Sequence, residues 1–323
     1  MRREPPRQPK RLPPLLRKEG SLWIAVALTT LMLLSACGGA KNAGNSATPV
    51  PMRVVTDDLG RAVTIPVKVT RVVSLAPNLT ENIFAVGAGD RLVGVTTFCN
   101  YPEQAKAIAK IGDTMTPNME SIIALKPDVV FVSTASQIEA FMKTLEANGI
   151  AVYVTNPTGT VDVMRNLKAL GEIFDTQKVS DDLIANLTQR INAVANLTGP
   201  LASHRERPTK VFIQISKEPL FTIGNKSHLN EWLFNAGGQS VTENVDTAYP
   251  KLSKETASAL NPEVIILSES DDNKEPNDAF KNSPAVKNGR VYKVNADLLS
   301  RPGPRLVDAL EQIAKDLHPE KFK

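Results

Sequence analysis

The chain repeats itself, and the repeat limits the architectures open to it. The segment Glu120 to Ser133 (ESIIALKPDVVFVS) aligns with Glu255 to Ser268 (ETASALNPEVIILS), with six of fourteen positions identical at an offset of 135. A second, weaker pair, Leu79 to Gly87 against Leu229 to Gly237, precedes it in each half at an offset of 150. Two pairs of blocks in the same order describe a body of two similar halves.

Each block translates into local structure. In the later block a short helix stops at Pro127 or Pro262, because proline lacks the amide that would continue the ladder. It leads into an uninterrupted apolar strand, Val129 to Val132 or Val264 to Leu267. Strands without polar alternation fit parallel sheets covered on both faces. The earlier block follows a strand (Arg71 to Leu75, or Lys210 to Ile215) and forms a helix closed by Gly87 or Gly237. Glycine suits the left-handed position past a helix end. In the first half, Lys143 to Gly149 continues to a further strand, Ala151 to Val154. The fold class is therefore α/β, with two lobes of central parallel-type sheet flanked by helices.

Two helical patterns lie between the halves. Val161 to Phe174 is apolar at Val163, Leu167, Leu170 and Phe174. Asp175 to Leu197 is apolar at Val179, Leu183, Leu187, Ile191 and Val194, and is broken only by Gly199-Pro200. The second predicts a helix of about 22 residues, roughly 33 Å long. A long unbroken helix joining two α/β lobes is a stiff spacer. The cleft between such lobes, near the C-terminal ends of the strands, is the default ligand site.

Charge and hydropathy separate the body from what precedes it. The formal charge of +4 over 323 residues conceals an uneven distribution. Seven basic and two acidic residues fall in residues 1–36, leaving 31 basic and 32 acidic in the rest. A near-neutral body argues against a nucleic-acid groove, which needs surplus Lys and Arg. A basic start, the apolar run Leu22 to Leu34 and then Ser35-Ala36-Cys37-Gly38-Gly39 read as a secretory signal. The run is too short for a bilayer span, which needs about 20 residues. Leu34-Ser35-Ala36-Cys37 resembles the lipobox of bacterial lipoproteins, which implies lipidation at Cys37 and an exported, membrane-anchored protein. The expected organisation is a signal peptide at 1–36, a flexible anchored linker at 37–52 and an N-terminal lobe at 53–158. A helical connection at 159–200 and a C-terminal lobe at 201–323 follow. The second cysteine, Cys99, has no intramolecular partner once Cys37 is lipidated, and is expected as a half-buried packing residue.

Three segments carry a family resemblance: RVVSLAPNLTENIFAVG (Arg71 to Gly87), TTFCNYP (Thr96 to Pro102) and NMESIIALKPD (Asn118 to Asp128). They resemble the class III, helical-backbone substrate-binding proteins of ABC importers, whose ligands are cobalamin, ferric siderophores and haem. The first two look most like the cobalamin-binding branch. The resemblance implies that Glu120 and Glu255 dock onto the two subunits of a permease dimer coupled to a cytoplasmic ATPase. An isolated glutamate in a first helical turn would only complement the helix dipole. The pairing across two lobes matches a two-fold partner. Glu81 and Glu231, also paired, are expected to cap helices or pack the lobes. The resemblance further implies a ligand site of Pro77, Asn78, Phe98, Phe221, Tyr249, Asp297 and Arg301. Aromatic faces would cover a large flat ligand while a few polar groups orient it. Where the cobalamin branch often carries an aromatic, this chain has Asp113-Thr114-Met115-Thr116.

No enzyme is expected. His204, His228 and His318 are scattered, and neither a metalloprotease helix motif nor a nucleophile elbow occurs. The histidines are expected at the surface or as caps, with no metal site and no cofactor. Asp271 to Asp278 reads as a solvated loop. The function expected is capture of a cobalamin-type corrinoid by a monomeric receptor that delivers it to the permease. Ferric-siderophore or haem binding, or a lipid-tethered ligand-sensing adaptor without transport, are the alternatives.

Overall fold

The computed structural model describes residues 50–134, 138–202 and 207–323. The signal segment, Cys37, most of the linker and His204 lie outside the described residues. Among the described residues, no helix is long and apolar enough to cross a membrane.

An antiparallel hairpin, β1 (Met52–Thr56) and β2 (Ala62–Pro66), comes first. The N-terminal lobe follows as β3 (Val72–Ser74), α1 (Pro77–Ala85), β4 (Leu92–Val95), α2 (Met119–Ala124), β5 (Val129–Ser133), α3 (Ile138–Ala147) and β6 (Ala151–Thr155). Two helices then connect, α4 (Thr160–Phe174) and α5 (Gln177–Ala202). The C-terminal lobe begins with β7 (Thr209–Gln214), α6 (His228–Asn235), β8 (Gly238–Ser240), α7 (Lys254–Leu260) and β9 (Val264–Glu269). It ends with α8 (Pro284–Lys287), β10 (Val291–Asn295), α9 (Ala296–Ser300) and α10 (Leu306–Leu317).

Each lobe holds a four-stranded parallel sheet, ordered β4-β3-β5-β6 and β10-β9-β7-β8. Exchanging β3 for β7, β4 for β8, β5 for β9 and β6 for β10 turns one order into the other. The sequence repeat is thus a topological repeat, and details follow it. Gly87 and Gly237 both take φ +81° past their helices. The helices before Pro127 and Pro262 end on Lys126 (φ +47°) and Asn261 (φ +50°), so a left-handed residue stops each turn before proline does. Asp128 accepts hydrogen bonds from the Thr70 and Arg71 amides (2.7 and 2.9 Å), and its counterpart Glu263 accepts one from the Lys210 amide (3.0 Å).

The unbroken apolar strands are covered on both faces, as their composition requires. Val129 and Phe131 enter one hydrophobic cluster while Val130 and Val132 enter another, the period-two alternation of a strand. In β9, Val264 and Ile266 divide from Ile265 and Leu267 in the same way. The first of these clusters is not confined to one lobe. It runs from Val72, Phe131 and Tyr153 through Leu167, Leu170 and Leu187 to Val211, Trp232 and Leu310. Helix α5 packs against α4 on one side and against α6 and α10 of the C-terminal lobe on another. Arg190 on α5 adds a two-pronged ion pair to Glu311 (2.9 and 2.8 Å) and a further contact with Asp308 (2.6 Å).

The connection differs from the sequence expectation in one respect. Helix α5 does not stop at Gly199-Pro200 but continues to Ala202, a span of 26 residues. Proline so near the end removes a single ladder hydrogen bond, which the remaining helix tolerates.

Candidate functional site

The C-terminal ends of the strands supply the loops that carry most of the candidate residues. Strand β3 runs into Pro77 at the first position of α1, where its fixed φ suits helix initiation. Asn78 follows and is 6% exposed, yet its Nδ2 has no hydrogen-bond partner among the described residues. A buried amide left unpaired costs about 1–3 kcal/mol. Strand β4 runs into the loop of Phe98, whose side chain is 58% exposed, and Tyr101, 46% exposed. The neighbouring loop is joined to it by the hydrogen bond from the Thr97 amide to the Gly112 carbonyl (2.9 Å) and presents an exposed Met115. Asp113 shapes that loop by accepting from the Met115 and Thr116 amides and the Thr116 hydroxyl, which hold its carboxyl below the usual range.

From the C-terminal lobe, Tyr249 is 42% exposed on a segment paired with the strand-like stretch of Phe221. The Thr222 amide bonds Pro250 O (3.1 Å) and the Gly224 amide bonds Ala248 O (3.0 Å), fixing the two segments side by side. Desolvation raises the Tyr249 phenol pKa, against the opposing effect of its hydrogen bond with Ser227. Phe221 itself is half-buried. A groove of about 760 Å3 runs along α6 and β8 from Thr158 and Ser227 to Pro208 and Gln239, and none of the candidate ligand residues lines it.

Asp297 and Arg301, expected as a polar pair at the ligand rim, also bind each other and the opposite lobe, Asp297 half-exposed and Arg301 largely buried. The Arg301 side chain is 9% exposed and bonds Glu81 Oε1 (2.7 Å), Asn100 Oδ1 (2.7 Å) and Phe98 O (3.3 Å). Asp297 pairs with the same guanidinium at 2.7 Å and accepts from Asn100 Nδ2 at 3.1 Å. Arg301 is therefore largely buried and joins the lobes, with both of its terminal nitrogens bonded to protein. Sequence reasoning did not couple it to Glu81 or Arg305. The two repeat-related glutamates realise the two roles expected of them: Glu81 packs the lobes, and Glu231 Oε2 accepts from the Thr160 amide (3.0 Å) at the start of α4.

Glu120 and Glu255 occupy equivalent positions. Each is the second residue of a short helix whose N-cap side chain, Asn118 or Ser253, accepts from the amide three residues on (2.9 and 3.1 Å). Both are exposed. The Glu255 carboxyl is held below its ordinary pKa by its own amide and by the Ser253 hydroxyl.

Other expectations change on contact with the structure. Cys99 is fully buried, at 1%, with its thiol 3.1 Å from Thr80 Oγ1 and 3.2 Å from Thr96 Oγ1. His318 is buried at the end of α10 against Gly237 O (3.3 Å), and His228 is half-buried against Leu299 O (3.1 Å). His318 is the C-cap of α10, one of the two settings expected of it, whereas His228 at the start of α6 turns its ring to a backbone carbonyl inside. The stretch Asp271 to Asp278 is anchored, not merely solvated. Asn273 and Asn277 are each 1% exposed, and Asn273 donates to Ser268 O, Gln214 O and Ile215 O, while Asn277 bonds Gln214 Oε1 through its amide. Among the described residues, no group of three or more His, Cys, Asp or Glu is placed to hold a metal ion.

Residues 72–298 match the periplasmic binding protein family, and the chain belongs to it. It is 30% identical, over 95% of its length and all of the relative's, to an uncharacterized ABC transporter substrate-binding lipoprotein, YvrC, of Bacillus subtilis. It is 31% identical to the vitamin B12-binding protein of Vibrio parahaemolyticus, over 79% of this chain and 92% of that one. The crystal structure of the periplasmic vitamin B12 binding protein BtuF of Vibrio cholerae superposes with a TM-score of 0.67 at 29% identity, covering 80% of this chain and all of that one. The fold is that of the class III binding proteins, and the protein is the non-enzymatic, extracytoplasmic substrate-binding component of an ABC importer. Its partners are therefore a permease and its ATPase.

Proposed function

We propose that the protein captures a corrinoid in the cleft between its lobes and delivers it to the permease through Glu120 and Glu255. The observation that carries this reading is that each lobe holds an exposed aromatic at a position the family resemblance assigns to the ligand, Phe98 in one and Tyr249 in the other. Aromatic faces give a wide planar ligand large contact at little entropic cost. The likeness to vitamin B12-binding relatives favours a corrinoid over other chelates. Lipidation at Cys37, which the relative named as a lipoprotein supports, would hold this receptor at the membrane surface and raise its concentration near the permease. The receptor acts as a monomer with no cofactor of its own, and the corrinoid is cargo.

Titration with cobalamin, cobinamide, haem and a ferric siderophore tests the reading. Saturable one-to-one binding of the corrinoids, tighter than that of haem or the siderophore, is expected. Preference for haem or the siderophore would move the assignment to the other chelates handled by proteins of this architecture. Binding of none would overturn the metal-chelate reading altogether.

A further inference from the structure

A buried ionic cluster joins the two lobes beside the loop that carries Phe98. Glu81 on α1 has a side chain only 4% exposed, and it receives both arginines of the other lobe. Arg305 reaches it through Nε (2.8 Å) and Nη2 (2.6 Å), and Arg301 through Nη1 (2.7 Å). The same two arginines hold the rim loop. Arg301 takes Phe98 O and Asn100 Oδ1, while the Arg305 guanidinium lies 4.0 Å from the centre of the Tyr101 ring. Asp297 closes the circuit by binding both Arg301 and Asn100. Two carboxylates and two guanidiniums make the cluster neutral, so no uncompensated charge is buried.

We infer that Glu81, Arg301 and Arg305 are positioning residues that preset the Phe98–Tyr101 loop against the C-terminal lobe before ligand arrives. The loop is held at two levels. Its root is fixed within its own lobe by Cys99, which packs on Thr80 and Thr96 and whose carbonyl accepts from Lys110 Nζ (3.1 Å). Its outward groups, Phe98 O, Asn100 and the Tyr101 ring, are held by the other lobe. Buried ion pairs add little net stability over apolar packing, whereas they define geometry where their members have one satisfied arrangement. The lobes already share an apolar core, so the cluster's distinct contribution is the position of the rim. A loop that is preordered binds without an ordering cost, and one that is competent only part of the time binds more weakly in proportion. The inference rests on the reading of Phe98 as a ligand contact.

The test combines loop dynamics with a double-mutant cycle. Arg301→Met removes the arginine, and Asn100→Ala removes the loop's side of the contact while leaving Glu81 and both arginines paired. Amide order parameters are measured on ligand-free protein. At Phe98, Asn100 and Tyr101 they are expected to fall from about 0.85 toward 0.6 or below in both variants, with β5 unchanged. Corrinoid affinity is expected to fall about tenfold in each variant, but by little more when Phe98 is already alanine, because positioning acts through that side chain. Unchanged order parameters at the rim, or losses that simply add to that of Phe98→Ala, would overturn the inference. Should Arg301→Met fail to fold, Asn100→Ala alone decides. If wild-type protein binds no chelate, the ligand reading falls, and the order parameters still judge the clamp.

Discussion

Phe98→Ala separates ligand binding from folding at one side chain. A phenylalanine side chain carries roughly 200 Å2 of surface, and 58% of Phe98 is open to solvent. About 115 Å2 is then available for a ligand to cover, worth about 2.9 kcal/mol at ~25 cal/mol per Å2. Alanine keeps its own methyl, which leaves a loss of about 2 kcal/mol, roughly a thirtyfold rise in Kd. The part already covered, about 85 Å2, limits the cost to folding to about 2 kcal/mol. Calorimetric titration with cobinamide and denaturant unfolding of the same two proteins measure both quantities. A Kd within about twofold of wild type, alongside a lowered unfolding midpoint, would show that Phe98 serves structure and would refute the rim argument.

Glu120→Ala with Glu255→Ala should reduce transport in a reconstituted importer to background while corrinoid affinity stays within about twofold, since both carboxylates are exposed and neither is among the proposed ligand contacts; retained transport would remove the docking assignment. Asn273→Ala should lower unfolding stability by about 2–4 kcal/mol in a denaturant titration, because Gln214 and several carbonyls lose their buried partner. Burial lowers the pKa of both His228 and His318, opposed by their hydrogen bonds to Leu299 O and Gly237 O. The unfolded chain, titrating near pH 6.5, then binds more protons than the folded one, so stability is full above about pH 6.5 and lost as pH falls below it. Unfolding midpoints measured between about pH 7.5 and 5 should show this decline, and His318→Gln should flatten it.

What could be read from the sequence was whatever repeats or has a local cause. The paired blocks gave the central strands of both sheets, the left-handed glycines at 87 and 237, and the matched settings of Glu120 and Glu255, because each element has a local signature, whereas β4, β8 and β10, outside those blocks, were not read. The clamp was not legible, since Glu81 meets Arg301 and Arg305 across more than 200 residues and neither arginine lies in a repeated block. Arg301 was placed at the ligand rim by the family resemblance alone, which says nothing of these partners. Asn273 and Asn277 were misread for a related reason. An Asn- and Asp-rich stretch is usually solvated, but here Gln214, a polar residue inside an apolar strand, draws two of its amides into the interior. A stiff connection was anticipated from one long helix; the core continuous through both lobes, which gives a second physical reason to expect it, was not.

The most direct measurement is a crystal structure of the protein with cyanocobalamin bound. The corrin should lie in the cleft against Phe98 and Tyr249. Glu81, Arg301 and Arg305 should be paired as described above, and the lobes should rotate only slightly. A ligand seated outside the cleft, or lobes that close by tens of degrees and break the clamp, would contradict the account of a preset, rigid receptor.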